Sequence, residues 1–165
     1  NPYEPDRVHE ASLAALAEIG DPVALPVFLE VLENQDNQDR KLVALRGLAA
    51  LPELAADLLD RLAAVARRET ESAAVRAAVL ALLRQKGAGG ELSKAYYLGI
   101  LKDAAQEAPR REEALEVLNT LLDQVLYRQL AEIYRIEGPG RLKDVLRELL
   151  RKHYHQYGTR DYPEF

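Results

Sequence analysis

Cysteine, methionine and tryptophan are all missing from this chain of 165 residues, and only two Phe are present. Without Cys there can be no disulfide and no thiolate metal site. The same lack leaves the compartment open, because a chain without thiols tolerates either redox environment. Gly and Pro are sparse, at nine and eight residues, while Ala and Leu dominate and β-branched residues are scattered. That balance favours helix by propensity. Long apolar runs are also missing: none approaches the roughly 18 residues of a membrane-spanning helix. No segment reads as a signal or transit peptide. The chain starts at Asn1 and contains no Met, so the expectation is a piece of a larger chain or a processed form.

Basic charge is scarce over most of the chain. The formal net charge is −5, but residues 1–140 carry −7 and residues 141–160 carry +4. A mildly acidic body with one basic final helix lacks the broad basic face of a nucleic-acid binder. No nucleic-acid partner is expected.

What the sequence does contain is a recurring pattern. Val8-His9-Glu10-Ala11 … Leu16-Ala17-Glu18-Ile19-Gly20 recurs at Arg40-Lys41-Leu42-Val43 … Leu48-Ala49-Ala50-Leu51-Pro52 and at Val75-Arg76-Ala77-Ala78 … Leu83-Arg84-Gln85-Lys86-Gly87. The offsets are 32 and 35 residues, which predicts an α-solenoid built from paired helices. Leu16, Leu48 and Leu83 are expected on the buried stripe. Gly20 and Gly87 suit helix ends that need a left-handed residue. Asp21 suits an N-cap and Pro22 the start of the next helix. Pro26 is tolerated in a first turn. Leu25, Phe28, Leu29 and Leu32 then form the inward stripe of the second helix.

On these residues, and on the corner "ALAEIGDPVALPVFLEVLE" over Ala15 to Glu33, residues 8–87 resemble HEAT repeats of the short bacterial type also found in phycobilisome lyases. Pro52 stands where that pattern has Gly, Gly47 fills the small-residue slot, and Lys86 replaces an apolar residue. The resemblance implies an all-α, right-handed α-solenoid of antiparallel helical hairpins, with residues 1–87 as the HEAT-like part. After Gly87-Ala88-Gly89-Gly90 the spacing predicts longer helices at about 91–107, 110–135 and 141–156 that cap the solenoid and continue it. Residues 94–150 are also similar to tetratricopeptide hairpins, through Leu98-Gly99 with Ala114-Leu115 and through Leu130-Ala131, Tyr134 and Gly138. Residues 157–165 read as an extended tail.

Chemistry is thinly represented. His153 and His155 lie two apart on a helix and point in different directions, so no metal ligand set is expected. His9 stands where the repeat class places Arg, which makes it an expected interhelical hydrogen-bonding group. Ser12 occupies a small buried packing position in the pattern. Thr70 or Ser72 reads as an N-cap, and Ser93 lies near another helix start. No Gly-x-Ser-x-Gly or phosphate loop occurs. Asp36-Asn37-Gln38-Asp39 lacks the Gly and distal Glu of a calcium loop and reads as a turn. Glu112, Glu113 and Glu116 suit the first turn of a helix. No catalytic residue, metal or cofactor is predicted.

The surface holds two candidates. In HEAT-type solenoids the second helix of each hairpin lines the concave side. Here that side would present Glu30, Glu33, Glu53, Asp57 and Asp60, as an acidic groove for a basic segment of a protein partner or as an ordinary solvated face. The second candidate is aromatic. Tyr154, Tyr157 and Tyr162 lie among the five of eight Tyr found in the last 39 residues, and Tyr suits interfaces. The expected function is a non-catalytic scaffold or protein-binding module. The alternative is a bilin lyase-like enzyme or accessory subunit, which rests on fold resemblance alone. Some alkylpurine glycosylases are also built from HEAT-like repeats, but they need a basic concave face where this one is acidic.

Overall fold

The computed structural model describes residues 4–158, with side-chain surroundings from residue 8 onward. Tyr162 and the rest of the predicted tail beyond Gly158 lie outside the described residues. Among the described residues there is no strand. Nine α-helices follow one another: α1 (Glu4–Ile19), α2 (Leu25–Asn34), α3 (Gln38–Ala50), α4 (Ala56–Arg67), α5 (Ala73–Gln85), α6 (Gly90–Lys102), α7 (Ala108–Thr120), α8 (Gln124–Ile136) and α9 (Arg141–Tyr157). No helix among them is long and apolar enough to cross a membrane. The chain divides into two compact units, residues 1–90 and 91–165.

In the first unit α3 is the central element. It packs against α1, α2 and α5, and α4 packs against α5. Phe28, Leu32, Ala44, Leu48, Leu62, Val75 and Val79 are almost wholly buried here. In the second unit α9 packs against α8 and α7, over Leu115, Leu118, Tyr127, Leu130, Leu146 and Leu150.

The helix ends follow from local chemistry. Gly20 and Gly87 hold φ of 63° and 73°, the left-handed conformation that L-side chains resist. Asp21 caps as expected, accepting from the Val23 N–H at 2.9 Å. What it caps, however, is a short 3-10 turn over Pro22–Ala24, after which α2 begins with Pro26 in its first turn. Asn37 accepts from the Arg40 N–H at 3.1 Å, so the Asp36–Asp39 stretch is the entry to α3. Ser72 accepts from the Val75 N–H at 3.2 Å and caps α5. Ser93 is no cap: it lies inside α6 and is fully buried.

The second half differs from the expected three long helices. It holds four, and α6, α7 and α8 are 13 residues each, no longer than α3 or α5. The predicted helix over 110–135 is broken after Thr120. Asp123 accepts the Leu126 N–H at 2.8 Å and starts α8, so a cap makes the break without Gly or Pro. The predicted helix over 91–107 stops at Lys102 because the Asp103 carboxylate accepts from the Ala105 N–H and closes a turn. Tyr157 is the last residue of α9 and not the first of an extended tail.

The first residues of α1, α3, α5, α7 and α9 fall 34, 35, 35 and 33 residues apart. The buried slots recur with them: Ala44, Val79 and Ala114, then Leu48, Leu83 and Leu118, each 35 residues on. Thirty-five residues before Leu48 stands Leu13, not Leu16. Leu13 is buried and Leu16 only half-buried. The 32-residue offset read between the first two copies was therefore three residues short, because α1 is compared correctly with α3 only at the longer spacing.

A cation recurs at the fourth position of α3, α5 and α7, as Lys41, Arg76 and Arg111. Arg76 donates from Nε to the Ala66 carbonyl at 3.0 Å. Arg111 donates to the Leu101 carbonyl at 2.9 and 2.7 Å. Both carbonyls lie at the C-terminal end of the preceding helix, where backbone acceptors lack helical partners. Lys41 instead donates to the Glu71 carboxylate at 2.7 Å, and both side chains are nearly buried. Arg111 also forks onto Glu137 at 3.0 and 2.6 Å.

Candidate surfaces for partner binding

The predicted acidic residues do not form one uninterrupted carboxylate ridge. Glu33 on α2 faces α4 and takes a bidentate bond from Arg61, at 2.7 Å to each carboxylate oxygen. That bond holds the Glu33 carboxyl below the usual carboxylate range. Asp57, one turn before Arg61, acts on the same guanidinium electrostatically. Arg68 adds a long bond of 3.4 Å to the Glu33 carbonyl. Glu30 lies on the outer side of α2 and accepts from Asn34 at 2.7 Å. Glu53, Asp57 and Asp60 are exposed. The structure thus gathers Glu33 and Asp57 about one Arg and leaves Glu30 on a different side of the helix.

The largest concavity lies elsewhere in the first unit. A groove of about 680 Å³ runs between α3 and α5. Its floor is apolar, from Leu42, Val43, Ala49, Ala78, Ala81 and Leu82, with Asp39, Arg46 and Gln85 at the margins. The helices that line it are the first of their pairs, not the second helices favoured by the HEAT-type reading. A signal for it was present in the sequence. Besides their buried stripe, α3 and α5 carry additional apolar positions (Leu42 and Val43, then Ala77, Ala78 and Ala81), which stay half-buried or exposed.

A second concavity, about 220 Å³, separates α1 from α2 at one end. Ser12, Leu16, Val27 and Gln35 line it together with His9 and Arg40. Ser12 is exposed, not a buried packing residue, and His9 is exposed without a hydrogen bond to any described residue. Both expectations fail for one reason: no described element covers that side of α1. The Gln35 Oε1 atom is buried and accepts no hydrogen bond among the described residues.

In the second unit the predicted aromatics take different places. Tyr157 is half-buried, with its ring 6.0 Å from that of Tyr127 and its hydroxyl donating to the Leu122 carbonyl at 3.3 Å. Tyr154 is half-buried, one turn earlier on α9. Tyr127 is fully buried and donates to the Leu150 carbonyl at 2.9 Å. Burial pushes its phenol above the ordinary value. These rings hold α9 in place.

His153 and His155 belong to no metal cluster, and among the described residues no three His, Asp or Glu side chains are grouped to hold an ion. No family model, curated protein or solved structure matches this chain.

Proposed function

We propose that this chain is a non-catalytic protein-binding module, a HEAT-like α-solenoid of antiparallel hairpins that receives a partner segment in the groove between α3 and α5. The observation that carries this reading is the groove itself: an open trough of about 680 Å³ with an apolar floor and a polar margin. That composition suits a segment which buries a few aliphatic side chains and keeps its backbone hydrated at the rim. The repeating spacing of the helix starts supports the solenoid part of the reading.

A photo-crosslinking residue placed at the exposed position Ala81 tests it. The expected result is one dominant adduct from the native extract, competed away by unlabelled protein and absent when the label sits at exposed Glu69. The same adducts from both positions would sink the reading.

A further inference from the structure

The outer side of α1 is built like a helix with a missing neighbour. One side of α1 packs on α3 through Leu13 and Ala17. The opposite side carries Val8, Ala11, Ala15 and Ile19, a second stripe at helical spacing, and all four are exposed. Val23 and Val27 add to it from the 3-10 turn and α2. Four of the six large apolar side chains that are exposed among the described residues thus belong to this one edge: Val8, Ile19, Val23 and Val27. α9 shows the contrast. Its exposed side chains are all polar: Arg141, Asp144, Glu148, Arg151, Lys152, His155 and Gln156. In a repeat stack an end that faces water is polar, and an apolar end is covered.

Charge decides what covers it. The polar positions around the stripe are Glu18, Asp21 and Glu30, and no Lys or Arg pairs with any of them among the described residues. A second copy meeting edge to edge would set these carboxylates against their own images. A second copy offering α9 would set polar side chains on an apolar ledge. We therefore infer that the α1–α2 edge binds an amphipathic helix of a different protein, one with a small-to-medium aliphatic stripe and Lys or Arg on its flanks. The stripe lies along Val8, Ala11, Ala15 and Ile19, where the two Ala let a helix come close. The cleft beside Ser12, Leu16 and Val27 takes one aliphatic side chain, and the Gln35 Oε1 atom offers a buried acceptor in its wall. The basic flanks face Glu18, Asp21 and Glu30. This edge is separate from the α3–α5 groove.

The test uses two stapled helices as long as α1 that share one Leu/Ala stripe, one flanked by Lys and the other by Glu. Titrated into the intact protein, the Lys-flanked helix is expected to bind about tenfold or more tighter. The gap should narrow as salt rises. Ala15→Arg, at an exposed position that leaves folding intact, should remove binding. Ala81→Arg in the α3–α5 groove should leave it unchanged, so the two surfaces fail or succeed separately. Equal binding of both helices, or indifference to Ala15→Arg, overturns the proposal. So does concentration-dependent self-association in sedimentation that Ala15→Arg abolishes, because the edge would then belong to a second copy.

Discussion

Gly47 on α3 lies flat against the Phe28 ring of α2, so close that a Cβ at position 47 would overlap the ring. Both residues are buried. In isolation Gly47→Ala should stabilise α3 by roughly 1 kcal/mol through helix propensity. The overlap should reverse the sign, giving a net loss of about 1–3 kcal/mol from overpacking. Thermal denaturation checks it. Phe28→Leu should be harmful alone and should lessen the damage done by Gly47→Ala, a coupling that only a direct contact produces.

The Lys41–Glu71 pair is the most buried ion pair described, with 7% and 8% of the two side chains exposed. Removing one partner strands the other charge. Lys41→Met should cost about 3–5 kcal/mol in urea denaturation, whereas the double change Lys41→Met with Glu71→Leu should recover most of that loss. A single variant as stable as the parent would show that the carboxylate finds water.

Asp123 caps α8. Its carboxyl is held below the ordinary range first by the Leu126 N–H and then by Lys94. A depressed carboxylate stabilises the fold above its unfolded value and loses that contribution as pH falls through the folded value. Asp123→Ala should therefore cost about 1 kcal/mol at neutral pH, as the loss of a cap does. The difference from the parent should shrink on acidification below the ordinary Asp range near 4. Stability curves of parent and variant that stay parallel down to pH 2 would contradict this.

Tyr127 behaves in the opposite sense. Its phenol is raised, mainly by burial. The stabilisation is therefore complete below the unfolded value, about 10, and fades as pH rises through the higher folded value. Tyr127→Phe should cost about 1 kcal/mol at pH 7 through the lost bond to Leu150. It should also flatten part of the alkaline decline in melting temperature.

Helix content and the first three helix pairs were legible in the sequence because apolar periodicity and punctuation agree there. Gly20, Ser72 and Gly87 each mark a boundary by a local backbone requirement. The register of α1 was not legible. Leu13 and Leu16 both fit an apolar stripe, and only the neighbour α3 decides which is covered. Leu13→Ala should accordingly cost about 2–4 kcal/mol and clearly more than Leu16→Ala. The break at Leu121–Asp123 was hidden for another reason: Leu121 and Leu122 continue the apolar pattern while Asp123 ends it by one side-chain bond. Glu33 was read as a surface acid because its partner Arg61 stands 28 residues away, a distance no local pattern spans.

Arg111 touches two stretches of chain that are far apart in sequence. Its guanidinium bonds the Leu101 carbonyl near the end of α6 and the Glu137 carboxylate ahead of α9. Neither segment can loosen without releasing the same cation into a partly desolvated pocket. Amide protons near Leu101 and near Glu137 should then exchange with solvent at a common rate, as one opening unit. A pull applied to either segment would be felt at the other through a single side chain.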